Sequence, residues 1–163
     1  MKRPALGSVV FFFAAPGSTA GLMPWLLRRG DPATDTSIAA STAGWLLFAI
    51  GLAAVIAAFV QFVREGRGTP APFAPTERLV VGGLYRWTRN PMYLAVAAMI
   101  GGQALAFASV ATLWWLAAFM ILVWLFVQLY EQPLLRRTYG RQYDDYCQSV
   151  PAWWPRLSPW TQP

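Results

Sequence analysis

The sequence contains no histidine and a single cysteine, Cys147. Without imidazole there is no histidine metal ligand and no Ser-His or Cys-His nucleophile. With one cysteine there is no intrachain disulfide, zinc ribbon or paired-thiol redox centre. Phosphate-cradling glycine patterns are missing as well, and Gly66-Arg67-Gly68 reads as a flexible linker. Charge is scarce. Asp, Glu, Lys and Arg make up 12% of the 163 residues, against 56% hydrophobic residues, whereas a soluble domain carries about 25% charged residues. Much of the surface of such a chain is expected to face lipid.

Three long runs carry no charge at all: Pro4 to Leu27, Thr36 to Val63, and Asn90 to Tyr130. A helix needs about 20 apolar residues to cross roughly 30 Å of hydrocarbon. The first two runs supply one crossing each. The third is about twice as long and reads as two crossings joined by a tight turn near Ala108-Ser109-Val110. The expected fold is therefore all-α: a single membrane domain over residues 1–163, a bundle of four transmembrane helices at about 5–27, 39–63, 91–108 and 110–131. Span one contains Pro16, Pro24 and a run of small residues, which a membrane tolerates when neighbouring helices satisfy the backbone. A signal peptide is its rival reading, but the apolar run exceeds the usual h-region of about 7–15 residues.

The basic residues give the orientation. Lys2 and Arg3 precede span one. Arg64, Arg67, Arg78, Arg86 and Arg89 lie between spans two and three, and Arg136, Arg137, Arg141 and Arg156 follow span four. By the positive-inside rule both termini and the central loop are cytoplasmic. The net charge of +6 then belongs to a face that meets anionic lipid headgroups rather than nucleic acid, because the arginines flank spans.

The central loop begins with a Gly- and Pro-rich stretch, Gly66 to Pro75, that is neither helix nor central strand. Its second half runs Gly83-Leu84-Tyr85-Arg86-Trp87-Thr88-Arg89-Asn90-Pro91-Met92-Tyr93, with aromatics and arginines interleaved and Pro91 suited to the first turn of a helix. This composition fits an interfacial anchor and equally a small-molecule pocket with aromatic walls and guanidinium donors. Beyond span four, Pro133 is expected to break or kink the helix. A further helix then runs to about Cys147, with Leu135, Tyr139, Tyr143 and Tyr146 on one face and Arg136, Arg137, Arg141 and Asp144 away from it. That pattern suits an amphipathic helix at the membrane surface, or plain packing against the bundle. Glu131 stands at the end of the long uncharged run. A carboxylate there is either functional or a boundary residue paired with Arg86, Arg89 or Arg136.

The segment from Gly83 to Tyr93 resembles the G-x-Y-x-x-x-R-H/N-P-x-Y signature of the isoprenylcysteine carboxyl methyltransferase superfamily, which includes related phospholipid methyltransferases. A second block, Glu131-Gln132-Pro133-Leu134-Leu135 through Tyr139-Gly140 and Tyr143-Asp144-Asp145-Tyr146 to Val150-Pro151, resembles that superfamily's C-terminal signature. The two blocks are separated by a helical hairpin, as in the family, and the resemblance covers about Glu77 to Pro155. It implies a membrane methyltransferase that uses S-adenosylmethionine, held outside any Rossmann domain in a cytoplasm-facing pocket of residues about 77–93 and 131–155. Carried over position by position, Arg78, Leu79, Val80, Tyr85, Asn90, Pro91, Met92 and Tyr93 would line the cofactor pocket, with Glu131 contacting the cofactor. Arg86 or Arg89 could pair with its carboxylate, and the faces of Tyr85 and Tyr93 could favour the sulfonium. Glu131 and Arg89 are the expected catalytic residues.

The departures are specific. Gln132 stands where the family has a second acidic residue. Asn90 stands at the usual histidine and cannot titrate. Val127 occupies the position of the arginine found in prenylcysteine-specific members, which argues against a prenylcysteine substrate. The expected partners are a lipophilic or small-molecule methyl acceptor and membrane lipid, with no nucleic acid and no metal. The alternative from another class is a non-catalytic scaffold or interaction protein of the same fold, for which Gly44, Gly51, Ala54 and Ala58 offer a surface for close helix contact within or between chains. A transporter is weaker, because Gln103, Gln61 and Gln128 are the few polar groups of the spans.

Overall fold

The computed structural model describes residues 16–31, 35–66 and 78–161. The first half of span one, the charged N-terminus and most of the Gly- and Pro-rich loop lie outside the described residues. The helices are α1 (Met23–Arg28), α2 (Ile38–Gly66), α3 (Pro91–Ala106), α4 (Val110–Phe126), α5 (Gln132–Tyr139) and α6 (Arg141–Ser149). There is no β-strand among the described residues. Two helical stretches, Ile38–Gly66 and Val110–Tyr139, are long and apolar enough to cross a membrane, and α3 is a shorter apolar helix. Both long stretches leave most of their side chains uncovered. Leu46, Ile50, Ile121, Leu122 and Leu129 point outward, the last 75% exposed. A soluble protein buries its most apolar helix, so lipid is the cover these faces require.

Small residues set the packing. Gly44, Gly51 and Ala58 recur every seven residues along α2, about two helical turns, and all three are buried. They form a seam against α3. A Cβ on Gly44 would fall 2.5 Å from Gly102 O and Ala106 N, and one on Gly51 would fall 2.7 Å from Ala95 O. The two helices therefore run antiparallel with their backbones in contact, and the surface offered by Gly44, Gly51 and Ala58 is used within the chain. Val55, Ala95, Val96, Met99, Ile100 and Phe119 fill the core beside the seam.

Prolines meet the same solution twice. The π-helical turn Ser18–Leu22 precedes Pro24, and its Met23 N–H bonds back to Ser18 O. That register, with the missing amide of Pro24, leaves two carbonyls without helical donors. Gln103 Nε2 donates to Ala20 O at 2.5 Å and Trp115 Nε1 donates to Thr19 O at 2.9 Å. Gln103 is thus committed to the backbone and opens no polar pathway. A second π turn, Val127–Glu131, precedes Pro133. Of the break or kink expected at Pro133, the break does not occur: the chain stays helical from Val110 to Tyr139, because the widened turn absorbs the proline. The break comes at Gly140, whose φ of +53° suits glycine and divides the expected C-terminal helix into α5 and α6.

The turn between α3 and α4 passes through Ala108, at φ +48°. Ser109 caps α4 by accepting from Thr112 N at 3.1 Å, and its hydroxyl donates to Asp31. Arg28 lies 3.9 Å above the Phe107 ring. The end of the N-terminal helix is thereby pinned over this turn, and the opposite end of the bundle is left to carry the loop and the C-terminal helices.

The seam makes a paired prediction. Gly102→Ala places a methyl 2.6 Å from Gly44 O and 2.7 Å from Phe48 N, and should cost about 1–3 kcal/mol of stability, read as a lower midpoint of thermal unfolding in detergent. Gly101→Ala meets Leu116 Cδ2 at 3.4 Å and should hold or raise the midpoint. Equal midpoints for the two variants would rule out a backbone seam.

Candidate functional site

The loop of residues 78–90 is laid down on the ends of α2 and α6. Its residues alternate. Val80 turns inward with Ala58 and Tyr85, with Phe62 and Met92 packed around them. Leu79 and Val81 turn the other way, onto Tyr143, Tyr146 and Val150. Glu65, in the last turn of α2, holds the loop by its backbone, accepting from Gly82 N at 2.9 Å and Val81 N at 3.3 Å. Gln61, one turn earlier, donates to the same carboxylate. At Gly82 a Cβ would displace the side-chain ends of Glu65 and Gln61 from the loop's backbone. Glu65 was not among the expected site residues. It follows the uncharged run of span two just as Glu131 follows that of spans three and four, so the signal that singled out Glu131 applied to it equally.

The C-terminal tail covers the outer side of the loop. Arg89 N donates to Pro151 O at 3.0 Å and Arg156 N to Trp87 O at 2.9 Å. Thr88 Oγ1 and Asn90 Nδ2 both donate to Ala152 O, at 2.8 and 3.2 Å. Asn90 precedes α3 but does not cap it; its amide is spent on the tail. Tyr146 Oη donates to Tyr85 O at 2.6 Å. Burial lifts the phenols of Tyr85 and Tyr146 well above their ordinary range, so both stay neutral and Tyr146 remains a donor.

The expected site residues fall into three groups. Tyr93, one turn into α3, donates to Glu131 Oε2 at 3.1 Å, so the two resembling blocks meet at this hydrogen bond. Glu131 closes the π turn and meets Tyr93 rather than an arginine, the alternative reading of it: Arg86 Nε bonds Trp160 O and Arg136 pairs with Asp144. Arg78, Leu79 and Arg86 line a cavity of about 770 Å³, together with Arg64, Glu65, Val81, Gly82, Tyr139, Gln142, Trp160 and Thr161. Tyr85, buried at the loop's inner side, feels the charges of both Glu131 and Glu65. Val80, Pro91 and Met92 are packing residues around it.

Arg89 is placed apart from Glu131. Its Nη1 lies 2.6 Å from Cys147 Sγ; burial and then Cys147 push the phenol of neighbouring Tyr143 up, and Arg89 pulls it the other way. Arg89 Nε is buried and has no acceptor among the described residues. The cavity wall offers cationic and anionic groups and aromatic rings at the end of an apolar bundle; Tyr93, Glu131 and Arg89 are not part of that wall. Such a set suits a zwitterionic ligand with a flat ring system. No group of metal-ligating side chains occurs among the described residues.

A family model described as Phospholipid methyltransferase matches residues 39–142, from the first turn of α2 to the first turn of α6. No curated protein matches the chain.

The Tyr146–Tyr85 bond is the hinge pin of the loop, and Tyr146→Phe would leave a buried carbonyl without its donor. The expected cost is about 1–3 kcal/mol, seen as a lower unfolding midpoint of the purified protein in detergent. An unchanged midpoint would show that the loop does not depend on this bond.

Proposed function

The chain belongs to the phospholipid methyltransferase family, a family of membrane methyltransferases, and from that premise we propose that it transfers a methyl group from S-adenosylmethionine to a lipophilic acceptor, in the first instance a lipid. In this reading the chain crosses the bilayer four times, with both termini and the cavity on the cytoplasmic side, and α5 and α6 lie along the membrane interface.

The observation that carries the proposal is the Tyr93–Glu131 hydrogen bond. It brings together the two blocks that resemble methyltransferase signatures. The residues present fit the cofactor. Arg78 and Arg86 line the cavity, and guanidinium groups there would bind a carboxylate through charge-assisted hydrogen bonds. Glu131, oriented by Tyr93, would accept from the ammonium or a ribose hydroxyl. Arg89 Nε is a buried donor left over for a ligand oxygen. When bound, S-adenosylmethionine would supply a methyl group carried on a sulfonium cation, transferable in line to a lone pair of the acceptor.

The protein's own part is then positioning rather than acid–base chemistry. Asn90 cannot titrate and is engaged with the tail, so no base is expected at that position. Tyr85, buried and neutral, supplies an aromatic wall that excludes water. The outward faces of Leu122, Leu125 and Leu129 lead along α4 to Glu131 and give a lipid acceptor a sideways approach from the bilayer. Holding acceptor and donor in line, with water shut out, would supply most of the rate.

Calorimetric titration of the detergent-purified protein with S-adenosylhomocysteine tests this. One-site binding is expected, weakened about 10- to 100-fold in Glu131→Ala, in line with the ~1.5–3 kcal/mol of a hydrogen bond to a charged group, and less severely in Tyr93→Phe. A folded wild-type sample that shows no binding up to millimolar ligand would sink the enzymatic reading.

A further inference from the structure

The C-terminal tail lies beyond the matched region, and its aromatic residues are not treated alike. Trp154 is 81% exposed and Leu157 fully so, as expected of residues that meet a membrane interface. Trp160 is turned the other way. Its backbone is gripped on both sides by one residue: its N–H donates to Arg86 O at 2.9 Å, and its carbonyl accepts from Arg86 Nε at 2.6 Å. Its ring leans on Tyr146, with centroids 5.6 Å apart and planes at 51°. It packs against the cluster of Tyr143, Tyr146 and Val150 and lines the cavity together with Tyr139.

This double bond between Arg86 and Trp160 is more than tail anchoring requires, since the contacts at Pro151, Ala152 and Arg156 already hold the preceding residues against the loop. The grip fixes an indole at the wall of a cavity whose other groups are guanidinium, carboxylate and phenol. The tilt to Tyr146 means that the two rings are not stacked face to face, and Trp160 reaches the cavity wall from that contact. A fixed indole in a polar cavity suits a flat heteroaromatic ring, because ring-on-ring stacking works with any base that presents a π face.

We propose that Trp160 is a binding residue of this cavity, stacking on the adenine base of the cofactor. The proposal rests on the methyltransferase reading and deepens it by adding a tail residue to the site. Arg86 is then shared, with Nε holding the wall in place and the rest of the guanidinium facing the cavity.

The full-length protein in mild detergent is titrated with S-adenosylhomocysteine as wild type, Trp160→Ala, Trp160→Phe and Trp154→Ala. Trp160→Ala should weaken binding about 10- to 100-fold, the loss of one base–aromatic stack. Trp160→Phe should recover most of that loss, and Trp154→Ala should bind as wild type. A companion measurement needs no destabilising variant. In 5-fluorotryptophan-labelled protein, the ¹⁹F resonance that is missing from Trp160→Phe should shift on titration and saturate with the calorimetric affinity. Wild-type binding together with unchanged affinity in Trp160→Ala, or a Trp160 resonance that does not move, overturns the role of Trp160 while leaving the methyltransferase reading intact. No binding to the wild type overturns both.

Discussion

At Gly44 and Gly102 two helix backbones come so close that a methyl group on either would strike the other's main chain. In lipid there is no hydrophobic drive to press helices together, because the tails are as apolar as the side chains, and association depends on close packing and on hydrogen bonds. The seam along Gly44, Gly51 and Ala58 supplies the packing. Everything at the polar end follows from its register. With α2 and α3 locked antiparallel, Glu65 at the end of one faces the loop that leads into the other, and Tyr93 is set one turn inside the bundle where Glu131 can accept its hydrogen bond. A shift of one helical turn along the seam, about 5.4 Å, would separate both pairs.

The second requirement of an apolar setting is that no backbone polar group go unpaired, and several polar side chains of the bundle are committed to it. Gln103 and Trp115 answer the carbonyls released around Pro24. Ser109 answers the N-terminus of α4, and Glu65 answers the amides of Val81 and Gly82. These residues would otherwise look like a polar pathway through the spans. Against that background Arg89 Nε, buried without an acceptor among the described residues, is an exception it shares with Trp153 Nε1. It sits beside α6 and the tail rather than in the bundle, in the region where a ligand would supply oxygens.

Periodicity and charge were enough to read the architecture at the level of apolar helices separated by basic segments, because hydrophobic runs report burial in lipid directly. The meeting of Tyr93 with Glu131 was also legible, though through resemblance and not through spacing, since the two residues belong to different helices. What could not be read has a common cause. The tail's bonds to residues 86–90 join positions more than sixty residues apart, and they involve main-chain groups that every residue possesses, so no side-chain pattern announces them. The course of the helix through Pro133 was left open between a break and a kink for a related reason. A proline inside an apolar run removes one amide, and whether the chain then breaks or widens into a π turn depends on the packing around it, which local sequence does not state.

That π turn has a consequence for the site. A regular α-helix advances about 100° per residue, so the added residue of a π turn rotates everything beyond it relative to the helix before it. Glu131 closes the turn and Gln132 follows it. The face of α4 that meets lipid through Leu122, Leu125 and Leu129 is therefore not continued into α5; the helix re-aims at the point where the apolar run ends. Pro133 makes this rotation the cheaper course, because a regular helix would lack its amide and clash with the preceding turn in any case. The same residue that seemed to end the span serves to turn its last carboxylate onto Tyr93, and the charge departure at Gln132 falls on the neighbouring position, which is buried and would have to hold a second carboxylate beside the first. Two adjacent carboxylates there would repel each other and both would lose solvent; glutamine keeps hydrogen-bonding capacity at that position and spares Glu131 a like-charged neighbour.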